Sequence, residues 1–160
     1  MFRAWKRLCG DPDWDALLAV IGTGGELSNW KRTAEEAALA DRLRFLGHIR
    51  NVPEVLAACD LLVHPARYEA YGLGVQEALC RGLPAIVSAS AGVAERYPID
   101  LQDLLLPDPE NAEDLAEGLL RWRRDLERYR ERVKPLADSI RARTWDDMAA
   151  ELVQVIEDPS

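Results

Sequence analysis

Short apolar runs alternate with longer amphipathic stretches along most of this chain. The runs predict five strands, at residues 17–21, 43–46, 61–64, 84–87 and 104–106. Successive runs begin roughly twenty residues apart, which is long enough for each pair to be parallel and joined by a right-handed helical crossover. The alternation therefore predicts an α/β fold, with a Rossmann-like parallel sheet flanked by helices.

Local signals place the helices between and after these runs. Helices are predicted over 2–9, 26–40, 51–58, 73–81 and 112–123, and the chain stays helical to its end. Asn51 and Asn111 are suitable N-cap residues, and Gly82 is suitable to end the fourth helix. Thr144 with Asp147 three positions later forms a capping-box pattern, which opens a last helix that reaches about residue 157.

Arginines crowd the stretch 121–134, RWRRDLERYRERVK. Apolar side chains recur there at helical spacing, and acidic residues are interleaved with the arginines. This pattern favours an amphipathic helix lying on the sheet over a phosphate or membrane contact. With 160 residues, the chain is expected to form a single domain, 1–160, in which 111–160 is a helical C-terminal segment.

Charge and hydropathy exclude several classes of function. The formal net charge of −8 disfavours nucleic acid and anionic lipid as partners, because both would be repelled. No run approaches the ~20 apolar residues of a membrane span, and residues 1–15 lack the apolar core of a signal peptide. Cys9, Cys59 and Cys80 lie among apolar neighbours, which indicates reduced thiols in a cytoplasmic protein. Two histidines and no cysteine pair predict no metal site.

The stretch EAYGLGVQE, residues 69–77, follows the third predicted strand and opens the helix after it. Ligands of open parallel sheets bind beyond the carboxyl ends of the strands. Gly72 and Gly74 leave room for a ligand to approach the backbone, and the amides from Tyr71 to Leu73 at the helix start favour an anionic group. Glu77 lies about five residues inside the helix, roughly 7 Å along its axis, and its side chain leans back toward the same opening.

Two carboxylates, those of Glu69 and Glu77, are therefore predicted to flank an amide cradle. A sugar nucleotide has the matching order of sugar hydroxyls, diphosphate and ribose hydroxyls. Carboxylates accept hydrogen bonds from diols and repel phosphate, so each group has a suitable partner. Two glutamates eight positions apart also occur by chance, and an exposed helix position would explain Glu77 equally well. The strand–turn–helix context favours the ligand.

Three other sequence patterns are weaker indications of a ligand site. Asp11-Pro12-Asp13 resembles a metal-binding D-x-D motif but precedes an apolar strand, which is typical of an ordinary loop. The turn GTGGEL, 22–27, has leucine where a dinucleotide-binding fingerprint has its last glycine, so a nicotinamide cofactor is not expected. His64 at a strand end is expected to be structural, whereas His48 at another strand end is the better candidate for a ligand contact.

The segment 45–92 resembles the donor-binding domain of GT-B retaining glycosyltransferases, in the glycogen-synthase-like and sucrose-synthase-like group called family 4. The two glutamates match the E-x7-E motif of that family, with its glycine at Gly72. The run EALCRGLP, 77–84, matches E-A-[apolar]-x-x-G-[apolar]-P, and VIGTGGE, 20–26, is similar to the family's V-G-x-G-x-E turn. The resemblance implies the C-terminal half of a GT-B fold without its first strand.

The resemblance also implies roles for individual residues. Glu69 would be the catalytic residue that contacts hydroxyls of the transferred sugar, and Glu77 would hold the donor ribose. The region of Gly47 and His48 would lie nearer the nucleobase. The implied activity is transfer of a hexosyl group from a nucleotide-diphosphate sugar with retention, without a metal or other cofactor. The residues implied to bind the substrate are Glu77, Tyr71, Gly72, Leu73, Gly22, Gly24, Gly47 and His48.

Two parts of such enzymes are not found in this sequence. The family binds its acceptor mainly through an N-terminal domain, and it neutralises the leaving diphosphate with an Arg/Lys pair on a loop after the first strand of the donor domain. None of the lysines lies in such a loop, and Arg67 is either a substitute contact or an ordinary loop arginine. The chain is therefore expected to be a fragment or truncated relative, and its uncovered apolar surface would favour self-association.

Three functions remain open on this sequence. The first is a donor-binding domain of a retaining glycosyltransferase, which the glutamate pair favours. The second is a non-catalytic α/β binding or interaction module derived from that fold, which the missing cationic loop favours. The third, a GT-B epimerase acting on a sugar nucleotide, would need further acid/base residues that the sequence does not show.

Overall fold

Parallel strands joined by helices form the framework of the protein. A computed structural model describes residues 1–157 of the chain. The strands in this range are β1 (Leu18–Ile21), β2 (Leu43–Gly47), β3 (Leu62–His64), β4 (Ala85–Ser88) and β5 (Leu105–Leu106). The helices are α1 (Phe2–Cys9), α2 (Leu27–Glu36), α3 (Val52–Ala57), α4 (Leu73–Cys80), α5 (Ala112–Arg124), α6 (Leu126–Ala142) and α7 (Trp145–Glu157). The predicted α/β architecture, with parallel strands flanked by helices, is confirmed.

The strands form two separate groups, which the apolar pattern does not reveal. β1 pairs with β2, and β3, β4 and β5 pair in that order, all in parallel. Within residues 1–157 no hydrogen-bonded ladder joins β1 to β3. The predicted continuous sheet is therefore interrupted, because the facing edges of β1 and β3 line a cavity instead of pairing.

Two helix predictions need correction. The helix predicted over 26–40 ends at Glu36, because Ala38 has a positive φ of 55° that no α-helix can contain. The arginine-rich stretch 121–134 is divided between α5 and α6 instead of forming one helix. Asp125 breaks it with a φ of −150°, and its side chain accepts a hydrogen bond from the amide of Arg128, so it caps α6.

The caps behave largely as predicted. The side chain of Asn111 accepts hydrogen bonds from two amides of the first turn of α5. The amide of Thr144 donates to the Asp147 carboxylate, and the amide of Asp147 donates to the Thr144 hydroxyl, so the capping box at α7 is confirmed. Asn51 occupies the N-cap position of α3, but its side chain makes no cap hydrogen bond.

The core lies around β4, all four residues of which are buried. The chain between β4 and β5 forms two 3₁₀ helices, Gly92–Arg96 and Ile99–Leu104, which the sequence pattern did not predict. α4 buries Val75, Ala78 and Leu79 and packs against α6. By contrast, α7 buries none of its residues. No helix within residues 1–157 combines the length and the apolar character of a membrane span.

Candidate functional site

A loop leaves the carboxyl end of β3 at His64 and enters α4 at Leu73. Gly72 is the N-cap of α4 and has left-handed backbone angles, φ 73° and ψ 48°. A Cβ at this position would lie 2.9 Å from the Val93 side chain, so both conformation and space require glycine. The strand–turn–helix context predicted for this segment is confirmed.

The 3₁₀ segment after β4 holds this loop in place. The amide of Gly92 donates a hydrogen bond to the Glu69 carbonyl at 3.0 Å. A Cβ on Gly92 would lie only 2.0 Å from the carbonyl oxygen of Ala70. The hydroxyl of Ser88, which is fully buried, donates to the carbonyl of Ala66 at 2.6 Å. Ser88 and Gly92 were not predicted as part of the site, because no local sequence pattern marks a contact across more than twenty residues.

The carboxylate of Glu69 turns back onto the start of α4. Its Oε1 accepts hydrogen bonds from the amides of Gly72, at 2.8 Å, and Tyr71, at 3.2 Å. Its Oε2 lies 3.3 Å from Nε2 of His64, which is thus a partner of the glutamate. The amide bonds from Gly72 and Tyr71, followed by the contact with His64, lower the pKa of Glu69 below its ordinary value. The glutamate is therefore held as an oriented carboxylate.

This arrangement changes which amides can meet an anion. The amides of Tyr71 and Gly72, predicted to form the cradle, already donate to Glu69. The first intrahelical bond runs from the Gln76 amide to the Gly72 carbonyl, so the amides of Leu73 and Gly74 come before it and have no acceptor within the helix. A Cβ added at Gly74 would meet nothing within 4 Å, which leaves open space at this backbone.

Glu77 lies on the exposed face of α4. Leu73, 67% exposed, precedes it by four positions and therefore shares its face. The carboxylate of Glu77 makes no hydrogen bond or ion pair within residues 1–157, and only its backbone carbonyl is engaged, by Arg81. Glu69 and Glu77 thus belong to one continuous loop–helix unit. The carboxylate of Glu69 is bonded to the protein, whereas that of Glu77 has no protein partner within residues 1–157.

The other predicted ligand positions follow the neighbouring strands. The amide of Gly22, after β1, donates to the carbonyl of Gly47, at the end of β2, at 2.8 Å. Both glycines have positive φ, and a Cβ added to Gly22, Gly24 or Gly47 would meet nothing within 4 Å. His48 is exposed directly after β2. β1 and β2 are parallel, so these positions lie together at the carboxyl ends of both strands, where ligands of open parallel sheets bind.

Arg67 does not contact Glu69. Its guanidinium forms an ion pair of 2.5 Å with Glu110, and both side chains are largely exposed. Within residues 1–157, no three acidic, histidine or cysteine side chains gather into a possible metal-binding group. Cys9, Cys59 and Cys80 are free thiols and half-buried.

We expect Glu69→Gln to be less stable than the wild type near neutral pH, with the difference vanishing in acid. Because the folded-state pKa of Glu69 is lowered, its stabilising contribution is present above the unfolded-state pKa and is lost as the pH falls through the folded value. Urea unfolding from about pH 7 down to about pH 3 measures this. Glu117→Gln, at an exposed position of α5, is the control. A Glu69→Gln deficit that persists unchanged in acid would contradict the assignment.

Comparisons with known proteins give a consistent result. The family model described as "Glycosyl transferases group 1" matches residues 1–137. The lipopolysaccharide core biosynthesis mannosyltransferase LpsB of Rhizobium meliloti is 38% identical over 87 residues, which cover 52% of this chain and 25% of LpsB. The uncharacterized glycosyltransferase YqgM of Bacillus subtilis is 30% identical over 122 residues, 73% of this chain and 34% of YqgM.

A structural comparison agrees with the sequence matches. The crystal structure of Anabaena Alr3699/HepE in complex with UDP and glucose matches 98% of this chain with a TM-score of 0.77 at 21% identity. The match covers 42% of the HepE chain. The matches therefore span about a quarter of LpsB, about a third of YqgM and about two fifths of HepE.

Proposed function

Because this chain belongs to the glycosyl transferases group 1 family, we propose that it is the donor-binding domain of a retaining, metal-independent glycosyltransferase of family 4 type. Its predicted correspondence to the C-terminal half of a GT-B fold is confirmed by the match to HepE. The substrate proposed is a nucleotide-diphosphate hexose. HepE was crystallised with UDP and glucose, which supports this ligand class.

The observation that carries the proposal is the unit formed by the β3–α4 loop and α4. An oriented carboxylate, Glu69, precedes the helix start, and the exposed carboxylate of Glu77 lies one turn beyond the amides of Leu73 and Gly74. Free amides at a helix start, reinforced by the helix dipole, are suited to phosphate oxygens. Carboxylates are suited to diols and not to phosphate. The order of groups therefore fits a sugar nucleotide bound with its sugar at Glu69, its diphosphate at the helix start and its ribose at Glu77.

In this proposal Glu69 contacts hydroxyls of the transferred sugar through Oε2. The other oxygen, Oε1, stays bonded to the amides of Tyr71 and Gly72, which act by orienting the carboxylate instead of binding phosphate. Such fixed orientation lets the group stabilise charge at the sugar without reorganising during the reaction. Tyr71 and Gly72 are thus positioning residues, and Glu69 is the catalytic candidate.

The diphosphate then occupies the space in front of Leu73 and Gly74. Both amides precede the first intrahelical bond of α4, and the open side of Gly74 admits a ligand against the backbone. From this position the donor ribose reaches Glu77. The remaining nucleotide extends along the carboxyl side toward Gly22, Gly24, Gly47 and His48, with the base nearer Gly47 and His48.

A titration of the chain with UDP-glucose, UDP, uridine and glucose tests the proposal. We expect the two diphosphates to bind with or without EDTA, and uridine or glucose alone to bind far more weakly, because the helix start recognises the diphosphate. Amide NMR shifts should change at Leu73 and Gly74. Binding that leaves both amides unshifted, or equal binding of uridine and UDP, would reject the assigned site.

A second function, that of a non-catalytic α/β interaction module, is favoured by one observation. Arg67 was the candidate to neutralise a leaving diphosphate, yet its guanidinium is engaged by Glu110. Under the first proposal, other residues of the whole protein would have to provide these cations. The three free cysteines support a reducing, cytoplasmic location for the protein. Donor titration separates the two functions, since an interaction module need not bind UDP.

A further inference from the structure

His64, the last residue of β3, contacts the one oxygen of Glu69 that is assigned to the sugar. Its Nε2 lies 3.3 Å from Oε2 of the glutamate, whereas Oε1 is bonded to the amides of Tyr71 and Gly72. Any constraint that the imidazole places on Oε2 is therefore a constraint on how the carboxylate meets the transferred sugar.

The imidazole must be the donor in this contact. An ionised carboxylate only accepts hydrogen bonds, so Nε2 of His64 must carry a hydrogen. The neutral ring with its proton on Nε2 meets this condition, and so does the charged ring, which carries protons on both nitrogens. The neutral ring with its proton on Nδ1 would instead set the lone pair of Nε2 against the carboxylate. The contact therefore determines the tautomer of His64.

The backbone is fixed on both sides of the contact. His64 pairs with Val87 of β4, and Pro65 after it favours extended backbone at His64. The carbonyl of Glu69 accepts the bond from the Gly92 amide, and its Oε1 is held by the start of α4. The strand and the loop therefore bring the two side chains together at fixed positions.

The amides at the start of α4 hold the carboxylate of Glu69 at one oxygen only. A carboxylate bonded through Oε1 alone can still pivot about that oxygen, because the terminal torsion of a glutamate is broad. A second bond, from Nε2 of His64 to Oε2, selects one plane for the carboxylate. Oε2 has a further lone pair for a hydroxyl, and the direction of that lone pair is then fixed as well.

The same contact has a small effect on stability. The side chains of His64 and Glu69 are 37% and 30% exposed, and contacts between ionisable groups that solvent reaches contribute little to stability. Glu69 would also keep both of its amide bonds without the imidazole. Loss of the imidazole is therefore expected to change the direction of the carboxylate more than the stability of the fold.

We propose that His64 is a positioning residue of the donor site, which fixes the carboxylate plane of Glu69 and thereby strengthens binding of the transferred sugar. A structural role was predicted for His64 from its place at a strand end, and its contact with Oε2 adds a role in ligand selection. The inference rests on the proposed function, since it assigns the sugar to Oε2. It predicts an effect on UDP-glucose and none on UDP, which lacks the transferred sugar.

A matched pair of variants tests this role. His64→Gln keeps an N–H donor close to the position of Nε2, whereas His64→Met has about the same length and no donor. We expect calorimetric titration to show UDP-glucose bound about three- to tenfold more weakly by His64→Met than by the wild type, the range that one hydrogen bond contributes. His64→Gln should bind UDP-glucose as the wild type does, and UDP should bind all three proteins equally.

NMR of the unliganded protein gives a readout that needs no ligand. The imidazole nitrogens of His64 should show a proton on Nε2 at about pH 8, where an imidazole is ordinarily neutral. The signal of the Glu69 carboxyl carbon should shift in His64→Met and much less in His64→Gln. A neutral ring with its proton on Nδ1, or an equal shift of the Glu69 signal in both variants, would overturn the proposal.

The outcomes separate this inference from the proposed function. A wild type that binds neither UDP nor UDP-glucose would reject the donor site itself, and with it a role for His64 in sugar binding. If the wild type binds UDP-glucose but His64→Met and His64→Gln bind it equally, the donor site stands and the role of His64 is overturned. Equal weakening of UDP and UDP-glucose in His64→Met would show a general structural effect and would also overturn that role.

Discussion

Replacing Gly92 by alanine should lower the free energy of unfolding by about 3 kcal/mol, which corresponds to a fall in Tm on the order of 10 °C for a chain of this size. The new Cβ would lie 2.0 Å from the Ala70 carbonyl oxygen, a backbone atom that can move only with its loop. The loop would also lose the bond from the Gly92 amide to the Glu69 carbonyl. The orientation of the Glu69 carboxylate is therefore expected to be lost together with stability.

Thermal and urea unfolding of Gly92→Ala and Gly74→Ala measure this effect with a matched control. Gly74 lies in α4 with open space at its Cβ position, so alanine there should be neutral or stabilising by up to about 1 kcal/mol. Both changes add one methyl group at a glycine next to the same loop. A Gly92→Ala variant as stable as Gly74→Ala would show that the loop is not held as described.

Replacing Glu77 by alanine should weaken binding of UDP and UDP-glucose by about tenfold to a hundredfold. A hydrogen bond to a charged group contributes about 1.5–3 kcal/mol, and each 1.4 kcal/mol changes affinity tenfold. The carboxylate makes no contact within residues 1–157 that would be lost, so the variant should fold normally. Glu77→Ala should therefore weaken binding without lowering stability, whereas Gly92→Ala should lower both.

Calorimetric titration of Glu77→Ala and Glu117→Ala with both ligands measures the effect. Glu117 is likewise an exposed helical glutamate, in α5 away from the loop, and its removal changes net charge by the same amount. Any general electrostatic effect on a phosphate ligand is therefore shared by the two variants. Equal affinities for the two variants would remove Glu77 from the donor site.

Periodicity and turn chemistry were sufficient to predict the elements of the site. β3, the glycine-containing loop and α4 are each specified by neighbouring residues: an apolar run, Gly72 at a left-handed position, and a helical stretch closed by Gly82 with φ 71°. The E-x7-E spacing could be placed on this unit because both glutamates belong to it. Asn111 and the pair of Thr144 and Asp147 were predictable for the same reason, since their partners lie within three positions.

Contacts between distant segments were not predictable in this way. Glu69 contacts His64 and two amides of its own turn. These contacts could not be predicted, because the direction of a flexible side chain depends on the backbone conformation of the loop. Gly92 and Ser88 contact the loop from more than twenty residues away in the sequence. The position of a glycine in the sequence does not show which distant carbonyl packs against it. The break at Asp125 likewise overrode a continuous helical pattern, because α5 and α6 pack on different partners.

Local order along the chain thus followed from the sequence: which segments are strands or helices, where glycines permit left-handed turns, and that two glutamates share one loop–helix unit. Those properties depend on interactions between residues a few positions apart. Only the tertiary structure decided that the strands fall into two groups, that Glu69 takes the amides expected to bind phosphate, and that Gly92 supports the loop. Those properties depend on packing between segments far apart in the chain, where a difference of one or two ångströms decides which groups meet.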